Sequence, residues 1–223
     1  MSDRSSAHGS ASGTVETTVT PKPRERAPEL VPLALDVPPW ERVFTIAPLV
    51  LVGSREEDGS FDLAPKHMAG PMSWGNWFGF VCTPRHCTCR NARRTGVFTV
   101  SYPRPSQVVS ASLAACPRCE DGTKPELAAL PTIPAEAVDG VFLANAHLVL
   151  ACRLEKVVDD LDENCLLIGR VVEARANPKA VRDADRDDAG TLRHAPLLAY
   201  LHPGRFARVR TSHSFPFPEG FSR

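Results

Sequence analysis

Residues 146–176 read AHLVLACRLEKVVDDLDENCLLIGRVVEARA. Two runs of Leu, Val, Ile and Ala flank an acidic hexapeptide, DDLDEN (159–164). Branched aliphatic residues suit a pleated, half-buried surface. A polar turn between two such runs predicts an antiparallel hairpin of long strands. The same pattern recurs on both sides. In APLVLVGSREEDGSFDLAP (47–65), the apolar run from Leu49 to Val52 meets a turn at Asp58-Gly59, and a short alternating strand ends at Pro65. NWFGFVCT (76–83), VFTVSY (97–102) and PLLAYL (196–201) read as further strands, with HPGRFARV (202–209) after the last. Helical signals are short. CTCRNARRTG (87–96) reads as a helix capped by Thr88 and ended at Thr95-Gly96. SQVVSASLAA (106–115) reads as another, starting from Ser106. Four prolines, Pro117, Pro125, Pro131 and Pro134, make 116–140 loop-like. Strands dominate, so the fold class is mainly β: a small antiparallel β-barrel with short peripheral helices.

The 223 residues suit one domain with an extension, enough to bury a core without staples. Residues 1–28 are rich in Ser, Thr, Gly, Pro and charge and predict a disordered tail. Residues 29–42, broken by Pro32, Pro38 and Pro39, read as an extended strap. The domain proper spans 43–210, and 211–223, with SFPFPEGF, reads as a C-terminal arm. The first residues lack a charged segment followed by an apolar one, so no signal peptide is expected, and no apolar window is long enough to span a bilayer. Seven cysteines, an odd number without a secreted-scaffold spacing, point to a reducing cytoplasm.

Formal net charge is zero, which removes any global case for nucleic acid or an anionic membrane. The charge is nevertheless uneven. Between Asp62 and Glu120 there is no acidic residue, while Lys66, Arg85, Arg90, Arg93, Arg94, Arg104 and Arg118 all fall there.

PRHCTCRNARRTG (84–96) lies at the centre of that window. Its residues admit several chemistries. Cys82, Cys87 and Cys89 with the CPRC of Cys116 and Cys119 suggest zinc or a redox dithiol. Against zinc, Cys87 and Cys89 point about 200° apart on a helix; small buried hydrophobes are the simpler role for these thiols. Arg90, Arg93 and Arg94 suggest nucleic acid, but no aromatic residue is interleaved with them for stacking on bases. The remaining chemistry is phosphate. A strand ending at Thr83, a tight turn and a helix beginning near Thr88 aim unpaired N–H groups and the positive helix end at one spot. Thr88 adds a hydroxyl, Asn91 an amide and Arg85 a bidentate guanidinium.

Three motifs, in order, resemble the flavin reductase-like proteins with an FMN-binding split barrel: LAPKHMAGPMSW (63–74), RHCTCRNA (85–92) and LLIGRVV (166–172). The resemblance covers 43–175 well and the C-terminal region loosely. It implies non-covalent FMN, with Ala64, Pro65, Lys66, His67 and Met68 along the isoalloxazine ring. Thr83, Arg85, Thr88 and Asn91 lie at the phosphate. Lys66 or His67 would place positive charge at one edge of the ring and stabilise the reduced flavin. It implies an oxidoreductase of the flavin reductase or flavoredoxin type that takes electrons from NADH or NADPH and passes them to an accepting protein or oxygenase component. A non-catalytic FMN-binding relay is the alternative, and a metal or redox-thiol protein using Cys116 and Cys119 a further one. Many members carry Asp-His just before the third motif, linked to handling NAD(P)H; here the pair is Glu163-Asn164. Asn carries no proton as His does, which predicts slow NAD(P)H oxidation, with His147 and His202 the nearest substitutes. The family's flavin lies at a subunit interface, and the apolar runs HLVLACRL and CLLIGRVV exceed one small core, so a homodimer is expected.

Overall fold

The computed structural model describes residues 29–182 and 188–220. The predicted tail, 1–28, lies outside the described residues, as do Asp183–Asp187 and the last three positions of the C-terminal arm. The chain divides into two units, one ending at Leu35 and one beginning at Asp36. The described part of the first, 29–35, has no helix or strand. The strap is not wholly extended, because Pro39 at a first helical position starts a short helix, α1 (Pro39–Arg42).

Among the described residues of the second unit twelve strands follow. They are β1 (Thr45–Pro48), β2 (Val50–Arg55), β3 (Phe61–Lys66), β4 (Ala69–Pro71), β5 (Trp77–Cys82), β6 (Val97–Tyr102), β7 (Thr132–Pro134), β8 (Val141–Leu143), β9 (Leu148–Leu161), β10 (Asn164–Ala176), β11 (Leu197–His202) and β12 (Arg205–Val209). The helices are α2 (Cys87–Thr95), α3 (Val108–Leu113) and α4 (Asp188–His194). The β9–β10 hairpin forms as its sequence predicts, but the strands run into the acidic hexapeptide and leave only Asp162-Glu163 to turn. Asp160 and Asp162 take positive φ there, which Asp tolerates better than most residues.

Seven strands form one antiparallel sheet in the order β3-β2-β6-β9-β10-β5-β4. Its two edge strands, β3 and β4, are joined by only His67 and Met68. A two-residue link spans less than about 11 Å, so the sheet must curl until its edges meet. The result is an open barrel whose seam is at His67–Met68. A three-stranded sheet, β1-β11-β12, and the pair β7-β8 complete the unit.

Strand β2 is buried on both faces. Val50 and Val52 point into the barrel with Phe78, Phe80, Phe98, Val100, Cys152, Cys165 and Leu167. Leu51 points outward to Leu63, Ala111, Ala114, Leu130 and Leu143, under α3 and the 116–130 segment. The two-residue side-chain period of a strand thus serves two cores. Helix α2 plugs the barrel with Cys89 and Ala92. Gly169, in LLIGRVV, is required by packing: a Cβ there would stand 2.7 Å from the Phe98 ring and 2.8 Å from the Arg153 carbonyl.

Three local readings change. The N-cap position of helix α2 is His86, not Thr88, and its side chain makes no cap bond; Thr88 is the second residue of the helix and is buried. Ser106 lies in a 3₁₀ turn, Pro105–Gln107, and the helix starts at Val108. The loop-like 116–140 holds a 3₁₀ turn, Pro125–Ala129, and the short strand β7. Among the described residues no helix is long and apolar enough to cross a membrane.

Candidate functional site

The barrel seam, the end of β5 and the start of α2 lie together. Helix α2 begins without help: His86 makes no side-chain capping bond, and the first turn holds no acidic residue. The backbone turn closes with the His86 N–H donating to the Thr83 carbonyl, 3.0 Å. The Cys89 and Arg90 N–H groups then return to the His86 carbonyl, leaving the N–H groups of Cys87 and Thr88 as the orphans that every helix start presents. The partial positive charge of the helix end adds to them.

Cations converge on this point. Burial lowers the pKa of His86 from its ordinary value, and the positive charges of Lys66, Arg85 and Arg90 lower it further. The four come from different places: Lys66 ends β3, Arg85 and His86 form the turn, and Arg90 follows one helical turn on. Arg90 is held by the Arg85 carbonyl and by Cys87 Sγ, 3.1 Å. The acid nearest to Arg85 is Glu163, 3.8 Å away and 80 % exposed, a contact worth at most about 1 kcal/mol in water. Lys66 lies against Cys82, whose thiol is pushed up by burial and drawn down by the lysine. Thr83 donates to Asn164 Oδ1, 3.1 Å.

Past the seam, His67 points elsewhere. Its ring lies 4.8 Å from that of Tyr200 and is stacked on His202 at 5.2 Å. Burial, then His202 and Lys66, hold its pKa below the ordinary value. His202 Nε2 meets Glu41 Oε1 at 3.0 Å, and its Nδ1 is buried without a partner. A cleft of about 350 Å3 runs between β3, α3 and the β11–β12 turn, lined by Pro65, Lys66, His67, Ser112, Tyr200 and Arg205 among others. Met68 keeps half of its surface exposed, and its carbonyl accepts from the Val81 N–H at 2.8 Å. Ala64 is buried opposite Val52.

The fold therefore brings Lys66, Thr83 and Arg85 to one cradle with the backbone of Thr88, and Pro65, Lys66 and His67 to an adjoining cleft. Asn91 is engaged inside the fold. It is buried, its Nδ2 donates to Ser54 Oγ at 3.2 Å, and its Oδ1 accepts from Arg94. It fixes α2 against β2 and lines, with the cradle residue Arg90 and with Arg118, a cleft of about 740 Å3. Sequence reasoning passed over His86 and Arg90 as site residues. Their i, i+4 spacing on α2 was the available signal. Tyr200 had none, and His202 was singled out only as a stand-in for the histidine that Asn164 replaces; both lie on β11, which pairs with β1.

The thiols fall into two groups. Cys82, Cys89, Cys152 and Cys165 are core residues, with Cys89 and Cys165 sulfurs 3.4 Å apart and Cys152 raised to about 12 by burial. Cys87, Cys116 and Cys119 keep some exposure. Among the described residues, no three or more His, Cys, Asp or Glu side chains gather as a metal would require.

Solved structures share this architecture. A flavoredoxin from Methanosarcina acetivorans superposes with a TM-score of 0.69 at 14% identity, over 86% of this chain and 98% of that one. Flavoredoxin of Desulfovibrio vulgaris (Miyazaki F) gives 0.68 at 19%, over 86% and 100%. Nitrilotriacetate monooxygenase component B from Bacillus cereus gives 0.65 at 22%, over 77% and 88%. No curated protein matches the chain. The family described as flavin reductase like domain matches residues 44–208, nearly the whole barrel together with its β11–β12 hairpin. The chain is a mainly β split barrel and belongs to the flavin reductase-like family.

Proposed function

We propose that the cradle holds the phosphate of FMN and that the adjoining cleft holds its isoalloxazine ring. The observation that carries this reading is the convergence of Lys66, Arg85, His86 and Arg90 on an uncapped helix start. A phosphate monoester brings about two negative charges and three strong acceptor oxygens, which fits that donor set. Thr83 and Arg85 grip it from the turn, the Thr88 N–H from the helix, and Lys66 from the strand, while Asn91 holds the helix in place. Ala64, Pro65, His67 and Met68 run along the ring. Bound flavin supplies hydride and electron transfer; the chain binds it, orients it and sets the charge around it. Lys66 stands at the junction of cradle and cleft, where its charge favours a reduced ring.

The protein then works as a flavin-dependent oxidoreductase in the cytoplasm, delivering electrons to an accepting protein. The Bacillus cereus structure is a monooxygenase component, which supports an oxygenase as that acceptor. NADH or NADPH is a slow donor, because Asn164 is engaged by Thr83 and has no proton to switch. A homodimer completes the site. Met68 and Trp74 are 52% and 92% exposed around the seam, the apolar surface a second copy would cover.

The test is the visible spectrum of the purified protein, with release of the flavin and its identification by mass, followed by anaerobic NADH in a stopped-flow instrument. FMN released on denaturation, bleached more slowly than about 10 per second, a median enzyme turnover, agrees with the reading. A protein that neither retains FMN nor takes it up contradicts it.

A further inference from the structure

A second gathering of cations shares no residue with the cradle. A cavity of about 460 Å3 is lined by Arg104, Lys179, His194 and Arg208, with Ser106 and Asn177 between them. Phe206 forms a wall of this cavity and also of the ring cleft. The pieces are far apart in sequence. Arg104 follows β6, Asn177 and Lys179 follow β10, His194 ends α4, and Phe206 and Arg208 lie two apart on one face of β12.

Among the described residues the lining holds no Asp or Glu, and Arg104, Lys179, Arg208 and His194 make no ion pair. Arg104 Nε is buried without a hydrogen-bond partner. A guanidinium nitrogen taken from water and left unpaired is costly. Its charge reaches the neighbouring His147, which is held below the ordinary value first by burial and then by Arg104. An anion in the cavity would meet the Arg104 guanidinium and relieve the mutual repulsion of Arg104, Lys179 and Arg208. Guanidinium forks match phosphate oxygens, and Ser106 and Asn177 add a hydroxyl and an amide. Phe206, 53% exposed, offers a flat apolar face to a planar base.

We propose that this cavity is a nucleotide site, with phosphate between Arg104, Lys179 and Arg208 and the base against Phe206. The site rests on residues outside the cradle and shares only Phe206 with the ring cleft. ADP is the probe, titrated by calorimetry at low ionic strength with and without saturating FMN. The expected result is saturable binding with Kd below roughly 1 mM, unchanged by FMN. Arg208 is exposed on an edge strand, so Arg208→Gln should keep the fold and its flavin content. It should weaken ADP at least about tenfold, as the loss of one hydrogen bond to a charged group does. Arg104→Gln should weaken it as much. Absence of saturable ADP binding, equal binding by both variants, or loss of ADP on adding FMN would overturn the site. Inorganic phosphate binding as tightly as ADP would overturn the assignment to a nucleotide.

Discussion

Two groups of cations, one inside the acid-free stretch and one at its C-terminal end, meet opposite fates. Arg118 and its neighbour in sequence Lys124 are fully provided for. Arg118 pairs with Glu56 and, at 3.3 Å, with Asp62. Lys124 Nζ, nearly buried, sits 3.2 Å from Asp62 and donates to the Ala114 carbonyl at 2.6 Å. That network pins the 116–124 segment onto β3. Lys66, Arg85 and Arg90, by contrast, gather around His86, and among the described residues the exposed Glu163 is the one acid paired with any of them. The difference lies in what the fold delivers to each. Strand β3 places Asp62 under the first group, while the second group faces an open helix start. Cations that find an acid act as struts, and cations that find each other form a site.

The largest effect is expected on the strut side. Asp62→Ala leaves the buried Lys124 ammonium without its partner, and breaking a buried pair from one side costs about 3–5 kcal/mol. Denaturant unfolding should show this loss; Asp62→Ala with unchanged stability would remove the contrast. Arg85→Gln should do the reverse. Stability should stay within about 0.5 kcal/mol, as for most surface changes. FMN affinity should fall by about 1.5–3 kcal/mol, the usual worth of a hydrogen bond to a charged group. Stability and affinity falling together would mean that the cradle is another strut.

The smallest effect is on pH. The pKa of His86 is lowered by burial and by Lys66, Arg85 and Arg90, and that of His67 by burial, His202 and Lys66. A depressed histidine binds its proton in the unfolded chain before the folded one, so folding stability is full above about pH 6.5 and is lost as pH falls through the folded-state value. Melting temperature should decline over that range, and His86→Gln should flatten the decline. Bound FMN should flatten it too, because a phosphate favours the charged imidazole.

The strands were legible in sequence because their signals are local. Alternation in VFTVSY and the Asp58-Gly59 turn both sit within a few residues of the structure they specify. Gly96, with φ of 71°, ends α2 where its sequence said it would. The helix start was half legible: the turn was found, but Thr88 was given the role of His86, because a threonine caps well by propensity and packing decided otherwise. Asn91 was expected at the phosphate; its burial and its bond to Ser54, 37 residues away, leave no trace in the local sequence. The sorting of cations was not legible at all. It depends on Asp62 and Glu56 meeting a segment 62 residues later. The stacking of His67 on His202 likewise depends on the three-stranded sheet, whose strand β11 carries His202.

The central claim, that the cradle is a phosphate site, is tested most directly by comparing FMN with riboflavin in equilibrium titrations of the flavin-free protein. The two share the ring and differ only in the phosphate. Two or more charged hydrogen bonds at about 1.5–3 kcal/mol each should make FMN bind at least about a hundredfold tighter, and Arg85→Gln should shrink that ratio while leaving riboflavin affinity unchanged. Equal affinities for the two flavins, or an Arg85→Gln variant that weakens both alike, would contradict the account.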